Sequence, residues 1–406
     1  MKQILILGGG FAGVTAAKKL SRIFATQGDI AITLVDKHAY HEYHADLYEL
    51  ATSPEELTNT QALAASVAIP FADIFRETKV KHLRAEVTGV DFNTKQVFLS
   101  HRSLPYDYVL FTLGSQVNFY NIPGAKEFAL PLKNIQDALR IRNSLEFTIQ
   151  RHRQDVTKYN IRIVVVGGGF SGVELAAELV GYVDFLCWQN GYPREKVEIE
   201  IMEGANRLLC GLPDLAAGRA ARRLKNLGVH VALNNHIIEV TNTLLYLANG
   251  ERVEYDCLLW TAGIAGVHLQ TTLELPLDRG GRIQVNEYLQ VPAYHNAFFI
   301  GDSAITMYAD PPTAQYAMHQ ASYVAYALPY FMKNRKPRGY MSKSFPYIIP
   351  LGGTWALFVG KHFTIQGWLA HVAKVWVTLQ YYTKLVGLRR AVGIVRSKLI
   401  WYGRND

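Results

Sequence analysis

The sequence predicts an α/β protein made of two similar domains of parallel strands and helices, followed by an amphipathic helical segment at the C-terminus. Two glycine-rich segments support the first part, because Ile4–Gly13 (ILILGGGFAG) and Ile163–Gly172 (IVVVGGGFSG) repeat one pattern. Each is a short apolar run, typical of a buried parallel strand, followed by G-x-G-x-x-G and an apolar helical stretch. Their separation suits whole domains rather than short repeats. The third observation is the helical spacing of apolar residues from Trp368 to Val386.

Size and composition fit this architecture. The chain has 406 residues, enough for two or three domains, and its 49% hydrophobic and 19% charged residues are typical of a globular protein. No apolar run is long enough for a transmembrane helix, and Met1 leads into a strand without a signal peptide, so we expect a cytoplasmic protein. The three cysteines, Cys187, Cys210 and Cys257, contain no CxxC pair and suggest no disulfide framework.

The glycines of each segment have separate physical tasks. The first makes the tight turn after the strand, and the second (Gly10, Gly169) lets a pyrophosphate approach the backbone. The third (Gly13, Gly172) allows the helix to pack closely on the strand, while the N–H groups at the start of that helix face the anion. Each segment therefore predicts a Rossmann-like dinucleotide-binding domain.

An acidic residue closes the strand that follows each glycine segment. Asp36 ends Ile30–Asp36 and Glu203 ends Val197–Glu203, where a carboxylate can accept hydrogen bonds from the ribose hydroxyls of an unphosphorylated adenosine. The alternative for Glu203 is a solvated strand end. Arg207 could hold a 2′-phosphate, but Glu203 would repel that phosphate, so the sequence favours NADH over NADPH.

Several further motifs occur in the order found in a known family. The sequence resembles the type II NADH dehydrogenases, single-chain NADH:quinone oxidoreductases of the pyridine nucleotide-disulfide oxidoreductase-like superfamily. The motifs are Tyr106–Gly114 (YDYVLFTLG), Val164–Leu179 (VVVGGGFSGVELAAEL), Leu259–Gly263 (LWTAG), Phe298–Asp302 (FFIGD) and Pro312–Gln320 (PTAQYAMHQ).

The resemblance implies a glutathione-reductase-like flavoprotein with FAD and NADH as cofactors. The FAD-binding domain would comprise 1–117 and 276–340, the NADH-binding domain 118–275, and 341–406 would serve membrane association and dimerisation. The residues implied at the FAD site are Gly8, Gly10, Phe11, Ala12, Gly13, Asp36, Lys37, Val87, Thr112, Gly114, Gly301, Asp302, Ala314 and Gln315. Those implied at the NADH site are Gly167, Gly169, Phe170, Ser171, Gly172, Glu174, Glu203 and Gly263.

The Gly301-Asp302 pair also has a physical interpretation of its own. Apolar Ala297–Ile300 predicts a buried strand, and the pair then brings a carboxylate and backbone N–H groups to a helix start, where a polyol and a phosphate can bind. The alternative for Asp302 is an ordinary helix cap. In the context of the other motifs, FAD binding is the preferred interpretation.

Three residues are candidates for catalysis. The resemblance implies that Glu174, just inside the second glycine-loop helix, handles a proton or positions the cofactor; the alternative is a first-turn glutamate stabilised by the helix dipole. Gln315 and His319 are four residues apart and share a helix face, where an amide and an imidazole could hold a quinone carbonyl and supply a proton. The family usually has a second glutamine at position 319, so His319 is either a proton donor or a packed substitute.

The loop after Asp36 departs from the family and contains three histidines. The family tends to have proline and leucine where Ala45 and Asp46 stand. His38, His41 and His44 have ligand-like spacing, but no cysteine supports a metal, and lining the flavin or quinone pocket is the preferred role. The stretch 38–52 also lacks the cysteine pair of the disulfide-reducing relatives.

The C-terminal segment is basic and amphipathic. Its apolar face would contain Trp368, Leu369, Val372, Val375, Trp376, Leu379, Tyr382 and Val386, with Tyr381, Trp401 and Tyr402 as further interfacial aromatics. Its charges are Lys374, Lys384, Arg389, Arg390, Arg396, Lys398 and Arg404 against Asp406 alone. This combination predicts a helix in the interface of an anionic membrane, and the alternative is a core-packing or dimer helix.

Together these patterns predict a non-proton-pumping NADH:quinone oxidoreductase that reduces a membrane quinone. We expect a peripheral protein at the cytoplasmic face of the cell membrane, a homodimer, without a metal and without a nucleic-acid partner. One alternative is a sulfide:quinone oxidoreductase, which would need two cysteines near the flavin. Others are a soluble NADH-dependent flavoprotein with a different acceptor, and a flavoprotein whose NADH site only switches its conformation.

Overall fold

The computed structural model describes residues 1–54, 60–153, 160–267, 269–271, 275–278 and 280–402. Among these residues, the helices are α1 (Phe11–Ile23), α2 (Leu47–Ala51), α3 (Thr60–Val67), α4 (Phe71–Ile74), α5 (Ala125–Phe128), α6 (Ile135–His152), α7 (Phe170–Asn190), α8 (Asp214–Asn226), α9 (Ala314–Met332), α10 (Trp368–Val386) and α11 (Leu388–Tyr402). The strands are β1 (Lys2–Leu7), β2 (Ile30–Asp36), β3 (Tyr40–Glu42), β4 (Ala68–Pro70), β5 (Val80–Arg84), β6 (Val87–Asp91), β7 (Gln96–Leu99), β8 (Ser103–Pro105), β9 (Tyr108–Phe111), β10 (Ser115–Val117), β11 (Leu130–Pro131), β12 (Ile161–Val166), β13 (Val197–Met202), β14 (His230–Ala232), β15 (Ile237–Val240), β16 (Leu244–Leu247), β17 (Arg252–Glu254), β18 (Cys257–Trp260), β19 (Ile264–Gly266), β20 (Gln270–Thr271), β21 (Ile283–Gln284), β22 (Gln290–Val291), β23 (Tyr294–Phe299), β24 (Ala304–Ile305), β25 (Tyr347–Pro350), β26 (Ala356–Val359) and β27 (Thr364–Gly367).

The chain forms two compact units. The first unit comprises 1–43, 68–116 and 264–345, and the second comprises 44–67, 117–263 and 346–406. Residues 44–67 and 346–406 therefore fold with the central part of the chain, a grouping that differs from the predicted division at 117, 275 and 340. Which cofactor each unit binds stays a prediction.

The first unit is built on a six-stranded sheet in the order β22-β23-β9-β1-β2-β5. Strand β1 runs parallel to β2 and to β9, and its last four residues, 4–7, are buried. Helices α1 and α9 of the same unit pack against each other. On one face of the sheet, Phe111 and Phe299 stack with ring centroids 4.1 Å apart. This packing explains why the sequence shows continuous apolar runs here rather than an alternating pattern.

The second unit repeats this plan on a five-stranded sheet in the order β11-β18-β12-β13-β14. Strand β12 pairs in parallel with β13 and β18, as β1 pairs with β2 and β9. The antiparallel strands β25, β26 and β27 follow, and α10 and α11 complete the unit. The predicted α/β class with two Rossmann-like sheets is confirmed.

Helices α10 and α11 turn much of their apolar surface outward. Trp368, Leu369, Val372 and Trp376 of α10 are between 53% and 66% exposed. On α11, Leu388, Val392 and Leu399 are similarly exposed. None of the described helices is long and apolar enough to cross a membrane. The side chains of Trp401 and Tyr402, and all of Arg404, lie outside the described part.

Three residues assigned to the outer surface from the sequence lie inside instead. Tyr382 is fully buried, Lys398 is 5% exposed, and Lys374 pairs with buried Glu49. The prediction that they meet a membrane is therefore wrong for these three. The spacing of apolar residues identified the helices correctly, but it could not show that carboxylates elsewhere would draw two lysines inward.

Two buried ion pairs hold α10 and α11 to the segment around α2. Lys374 pairs with Glu49 and donates to the Tyr48 hydroxyl at 2.7 Å, and Lys398 pairs with Asp46. Burial lowers the pKa of Lys374, but the carboxylates of Glu49 and Asp46 more than offset this effect and raise it. The charged form of Lys374 is therefore favoured, and each lysine depends on its carboxylate partner in this largely buried setting.

Removal of one lysine would leave a buried carboxylate unpaired. We expect Lys398→Met to lower the free energy of unfolding by about 3–5 kcal/mol, because Asp46 loses its counter-ion in a buried site. Arg396→Met, an exposed change on the same helix, should alter it by less than about 0.5 kcal/mol. Urea denaturation followed by circular dichroism measures both. Equal effects of the two substitutions would contradict the role of the pair.

Candidate functional site

In the glycine loop of the first unit, two glycines are required by close packing and one borders open space. Gly8 has φ +104°, and a Cβ there would lie 2.5 Å from the Thr112 carbonyl oxygen. A Cβ on Gly13 would lie 1.9 Å from the Gly8 carbonyl oxygen. A Cβ on Gly10 would meet nothing within 4 Å. Contacts within the protein thus require the first and third glycines, whereas the second borders open space that a ligand could enter.

The second unit repeats this arrangement. A Cβ on Gly172 would lie 1.8 Å from the Gly167 carbonyl oxygen, and one on Gly169 would meet nothing within 4 Å. The Thr261 hydroxyl donates to the carbonyl of Val166 at 2.8 Å, as the Thr112 hydroxyl of the first unit donates to that of Leu7 at 2.9 Å. Sequence reasoning named Thr112 but missed Thr261, although the threonine stands at the same place in LFTLG and LWTAG.

The two strand-end carboxylates lie against their glycine loops. Asp36 accepts hydrogen bonds from the backbone N–H of Gly9 at 2.6 Å and of His38 at 2.8 Å. Glu203 accepts from Gly168 at 2.5 Å and from Ala205 at 2.8 Å. Both are half-buried at the loop, so neither is merely a solvated strand end. The longer spacing before Glu203 arises because α7 has 21 residues and α1 has 13.

Arg207 is held by acceptors that follow it in the chain. Its guanidinium donates to the carbonyls of Cys210 at 2.8 Å and Leu212 at 3.0 Å, and it pairs with Asp214 at the start of α8. The guanidinium of Arg207, which the sequence suggests as a potential 2′-phosphate ligand, thus already binds three acceptors within the protein.

The Gly301-Asp302 turn is connected to the start of α9 by a buried glutamine. Gln320 accepts from the Gly301 N–H at 2.7 Å and donates to Asp310 at 3.1 Å. The Asp302 carboxylate accepts from the Ser115 hydroxyl at 3.1 Å. The buried Oγ1 of Thr313, which precedes α9, has no hydrogen-bond partner in the described part of the chain. A polar atom of this kind at a helix N-terminus suits a site that binds an acceptor group.

Gln315 and His319 lie one turn apart on α9, as their spacing predicts. The His319 ring lies 5.4 Å from that of Tyr340 and 5.6 Å from that of Phe345. Its Nε2 is 2.9 Å from the Met341 carbonyl, which can only accept, so the ring nitrogen there carries the proton. Because Gln320 is 3% exposed and bound to Gly301 and Asp310, it does not replace the glutamine absent from position 319.

Glu174 is the fifth residue of α7, just beyond its first turn, in a surrounding that favours its neutral form. Burial raises its pKa well above the ordinary value; Lys374 opposes this shift, and Asp46, Glu49 and Glu178 reinforce it. A helix dipole would have the opposite effect, since it stabilises a charged first-turn carboxylate. The surroundings of Glu174 thus favour the protonated form of its carboxyl group.

His41 contacts the first glycine loop directly. Its side chain is fully buried, its Nδ1 lies 2.8 Å from the Gly9 carbonyl oxygen, and its ring meets that of Phe11 edge-on at 5.2 Å. Burial lowers the pKa of His41 to about 4, so the ring is neutral and donates from Nδ1. The sequence predicted that this histidine lines the flavin or quinone pocket, and its contact with the Gly9 carbonyl was not predicted. Within the described residues, no group of three metal-ligating side chains has a suitable arrangement.

The remaining predicted site residues occupy varied positions. In the first unit, Lys37 is exposed, Val87 is half-buried at the start of β6, Gly114 has φ +72°, and Ala12 is buried on α1. In the second unit, Phe170 stacks on Tyr347 at 5.3 Å, Ser171 is exposed, and Gly263 lies against Tyr120. Ala314 is the first residue of α9. Their cofactor contacts stay predictions.

Comparison with known proteins gives consistent matches over most of the chain. A family model described as pyridine nucleotide-disulphide oxidoreductase matches residues 2–321. Demethylphylloquinone reductase NdbB of Synechocystis sp. is 32% identical over 338 residues, covering 80% of this chain and 78% of that protein. A type II NADH:quinone oxidoreductase of Staphylococcus haemolyticus is 29% identical over 335 residues, covering 80% of this chain and 81% of that protein.

Two solved structures share the fold over nearly the whole chain. NDH2 from Plasmodium falciparum in complex with NADH has a TM-score of 0.85 at 20% identity and covers 99% of both chains. The sulfide:quinone oxidoreductase from Aquifex aeolicus has a TM-score of 0.76 at 16% identity, covering 99% of this chain and 96% of the other. At these identities the likeness establishes the fold alone.

The neutral state of His41 makes stability depend on pH. An unfolded histidine binds a proton below pH 6.5, whereas folded His41 binds one only near pH 4. The contribution of His41 to the free energy of unfolding is therefore complete above pH 6.5 and is lost as the pH falls from 6.5 to 4. Over this range the free energy of unfolding should fall by about 3 kcal/mol. His41→Asn keeps an N–H donor for the Gly9 carbonyl. We expect this variant to lose less free energy of unfolding between pH 6.5 and 4 than the wild type, as measured by urea unfolding. Exposed His101→Asn is the control, and parallel curves for all three proteins would contradict the assignment.

The contacts of Arg207 predict how nucleotide preference can be changed. In Glu203→Gln with Asp214→Asn, the repelling carboxylate is absent and Arg207 has lost its charged partner. We expect the ratio of affinities for 2′,5′-ADP over 5′-AMP to rise about tenfold, the value of one charge-assisted hydrogen bond. Asp184→Asn, which removes the exposed partner of Arg194, is the matched control in titrations by calorimetry. A parallel loss of both affinities would show that Asp214 only maintains the loop.

Proposed function

The chain belongs to the pyridine nucleotide-disulphide oxidoreductase family and, within it, to the type II NADH dehydrogenases, and on that premise we propose that it is a non-proton-pumping NADH:quinone oxidoreductase. FAD and NADH are its cofactors. Its proposed reaction takes a hydride from NADH to FAD and then reduces a membrane quinone by two electrons.

The observation that supports this proposal is the duplicated loop. In each unit the middle glycine borders open space, and a carboxylate accepts from the N–H of the preceding glycine. Both loops therefore fit a dinucleotide, with Asp36 and Glu203 receiving the ribose hydroxyls. Thr313 and the start of α9 fit the acceptor groups of FAD in the first unit. Bound FAD supplies the hydride acceptor and the subsequent electron donor.

Three side chains carry the proposed proton chemistry. The acidic surroundings of Glu174 and its desolvation raise its pKa and so favour its protonated form, which can donate a proton or a hydrogen bond. Gln315 can donate its amide N–H to a quinone carbonyl. His319 has Nε2–H engaged with the Met341 carbonyl, so Nδ1 is the nitrogen that can accept a proton and pass it to the reduced quinone.

The cysteines favour quinone reduction by NADH over the sulfide alternative. Carrying sulfur at a flavin requires a pair of accessible cysteines, but Cys187 and Cys257 are buried and belong, with exposed Cys210, to the second unit. Burial raises the pKa of Cys187 to about 11 and that of Cys257 to about 12, so neither is a thiolate at neutral pH. This pattern is unsuited to sulfide chemistry.

We further propose that α10 and α11 bind the enzyme to the cytoplasmic face of the cell membrane. Their exposed tryptophans and aliphatic side chains would enter the bilayer interface, and exposed Arg389, Arg390 and Arg396 would meet anionic headgroups. An interfacial location brings the enzyme to its water-insoluble acceptor. A homodimer is part of the proposal on family resemblance alone.

Anaerobic reduction of the purified holoenzyme tests the proposed function. We expect NADH to bleach the flavin absorbance and a short-chain quinone to restore it, with NADPH much slower because Glu203 repels its 2′-phosphate. Sulfide should leave the colour unchanged. Bleaching by sulfide but not by NADH would replace the proposal with the sulfide:quinone activity.

Substitutions at His319 test the second half of the reaction separately. We expect His319→Leu to slow flavin reoxidation by quinone by about 100-fold, the usual effect of a lost general acid, while reduction by NADH stays within about twofold. His319→Gln restores the amide typical of the family and should keep quinone affinity. Stopped-flow spectrometry separates the two half-reactions. A full rate with His319→Leu would assign the residue to packing alone.

A further inference from the structure

A strongly basic loop follows α9 in the first unit. Lys333, Arg335, Lys336 and Arg338 are all exposed. No aspartate or glutamate occurs in the sequence between Asp310 and Asp406. This loop lies outside the glycine loops, the α9 motif and the C-terminal helices, so the functions assigned above do not account for its charge.

The loop folds back on a row of tyrosines along α9. Tyr326 and Tyr330 are 42% and 39% exposed, and their ring centroids are 5.2 Å apart. The Arg335 N–H donates to the Tyr330 carbonyl at 2.9 Å, and the Tyr323 hydroxyl donates to the Arg338 carbonyl at 2.9 Å. These two hydrogen bonds fix the backbone of the basic loop against α9. We call Tyr326, Tyr330, Lys333, Arg335, Lys336 and Arg338 the aromatic-basic surface.

A chain of ring contacts connects this surface to His319. The Tyr323 ring lies 6.4 Å from that of Tyr326 and 5.5 Å from that of Tyr340. Tyr340 in turn lies 5.4 Å from His319 and 6.0 Å from Tyr308. Two intervening rings, those of Tyr323 and Tyr340, therefore link the aromatic-basic surface to the residue proposed to contact the quinone.

Exposed apolar side chains border the same part of the first unit. Met307 and Met341 are each 72% exposed and Tyr308 is 45% exposed. The Met341 carbonyl is the acceptor for His319. Flexible apolar side chains with this exposure beside a cationic loop match the chemistry of a lipid interface, where apolar groups meet acyl chains and cations meet headgroups.

Acidic residues nearby do not cancel the positive charge. Exposed Glu287 lies next to the loop, where its carbonyl accepts from the Tyr340 N–H at 2.8 Å. The Asp310 carboxylate faces inward and accepts from Tyr340, Ser342 and Gln320. One exposed carboxylate thus stands against four cations.

We propose that the aromatic-basic surface binds anionic lipid headgroups, so that the first unit has a membrane contact of its own beside His319. The cations pair with lipid phosphates, the tyrosines lie at the headgroup level, and Met307 and Met341 reach the acyl boundary. A quinone could then pass from the bilayer to His319 without crossing bulk water; this last consequence rests on the proposed function, whereas lipid binding does not.

Binding of the full-length holoenzyme to vesicles tests the proposal. We expect glutamine at Lys333, Arg335, Lys336 and Arg338 together to weaken binding to vesicles with about a quarter phosphatidylglycerol by tenfold or more, since each cation at an anionic surface contributes. Binding to purely phosphatidylcholine vesicles should be unchanged. The matched control carries glutamine at exposed Lys2, Lys19, Lys81 and Arg102, which removes the same charge elsewhere in the first unit. Equal losses in the two quadruple variants would overturn the proposal.

Two further measurements separate this surface from other roles. The quadruple variant should oxidise NADH normally with a short-chain quinone but slowly with a long-chain quinone in vesicles, and Tyr326→Ser with Tyr330→Ser should share this defect. Basic loops with aromatic rings also bind single-stranded nucleic acids, and tight oligonucleotide binding that the quadruple change abolishes, with vesicle binding intact, would overturn the proposal. Failure of the wild type to oxidise NADH would instead defeat the proposed function and leave the vesicle result standing.

Discussion

Close contact between a strand end and the helix that follows it organises both units. In each glycine loop the third glycine lies so near the carbonyl of the first that even one methyl group would collide with it. This contact brings the N-termini of α1 and α7 to the ends of β1 and β12, where their N–H groups face the loop. Asp36 and Glu203 then bond to the loop itself, and the middle glycine is left beside open space. The binding chemistry of both units follows from this one steric requirement.

The C-terminal helices show the reverse of the usual distribution of charge and apolar surface. Lys374 and Lys398 are turned inward to Glu49 and Asp46, while tryptophans and aliphatic side chains are exposed. Desolvation of an ion is costly, so such lysines are stable only with close carboxylates and hydroxyls as partners. The outward face consequently loses two of its cations and becomes more apolar than the sequence alone suggests. A more apolar outward face favours binding to a membrane by insertion of apolar side chains over binding by electrostatic attraction alone.

Local environment gives two titratable residues opposite tasks at neutral pH. Desolvation and nearby carboxylates favour the protonated form of Glu174, and burial favours the neutral form of His41. The first can supply a proton, whereas the second supplies only a fixed N–H donor to the glycine loop. Burial disfavours the charged form of both side chains, but only the neutral carboxyl group of Glu174 would carry an acidic proton that catalysis can use.

The sequence by itself determined the two Rossmann-like sheets, the glycine loops, the carboxylates that meet them and the pairing of Gln315 with His319 on one helix face. Short contiguous motifs predict these features, because the strand period, the helix period and the absence of a Cβ in glycine determine local structure within a few residues. Only the tertiary structure decided that His41 supports Gly9, that Thr261 matches Thr112, that Gln320 joins Gly301 to Asp310, and that Lys374 and Lys398 point inward. Each of these depends on a partner distant in the chain. A periodic pattern predicts which residues share one face of a helix or strand, but it does not predict which residues elsewhere in the chain will contact that face.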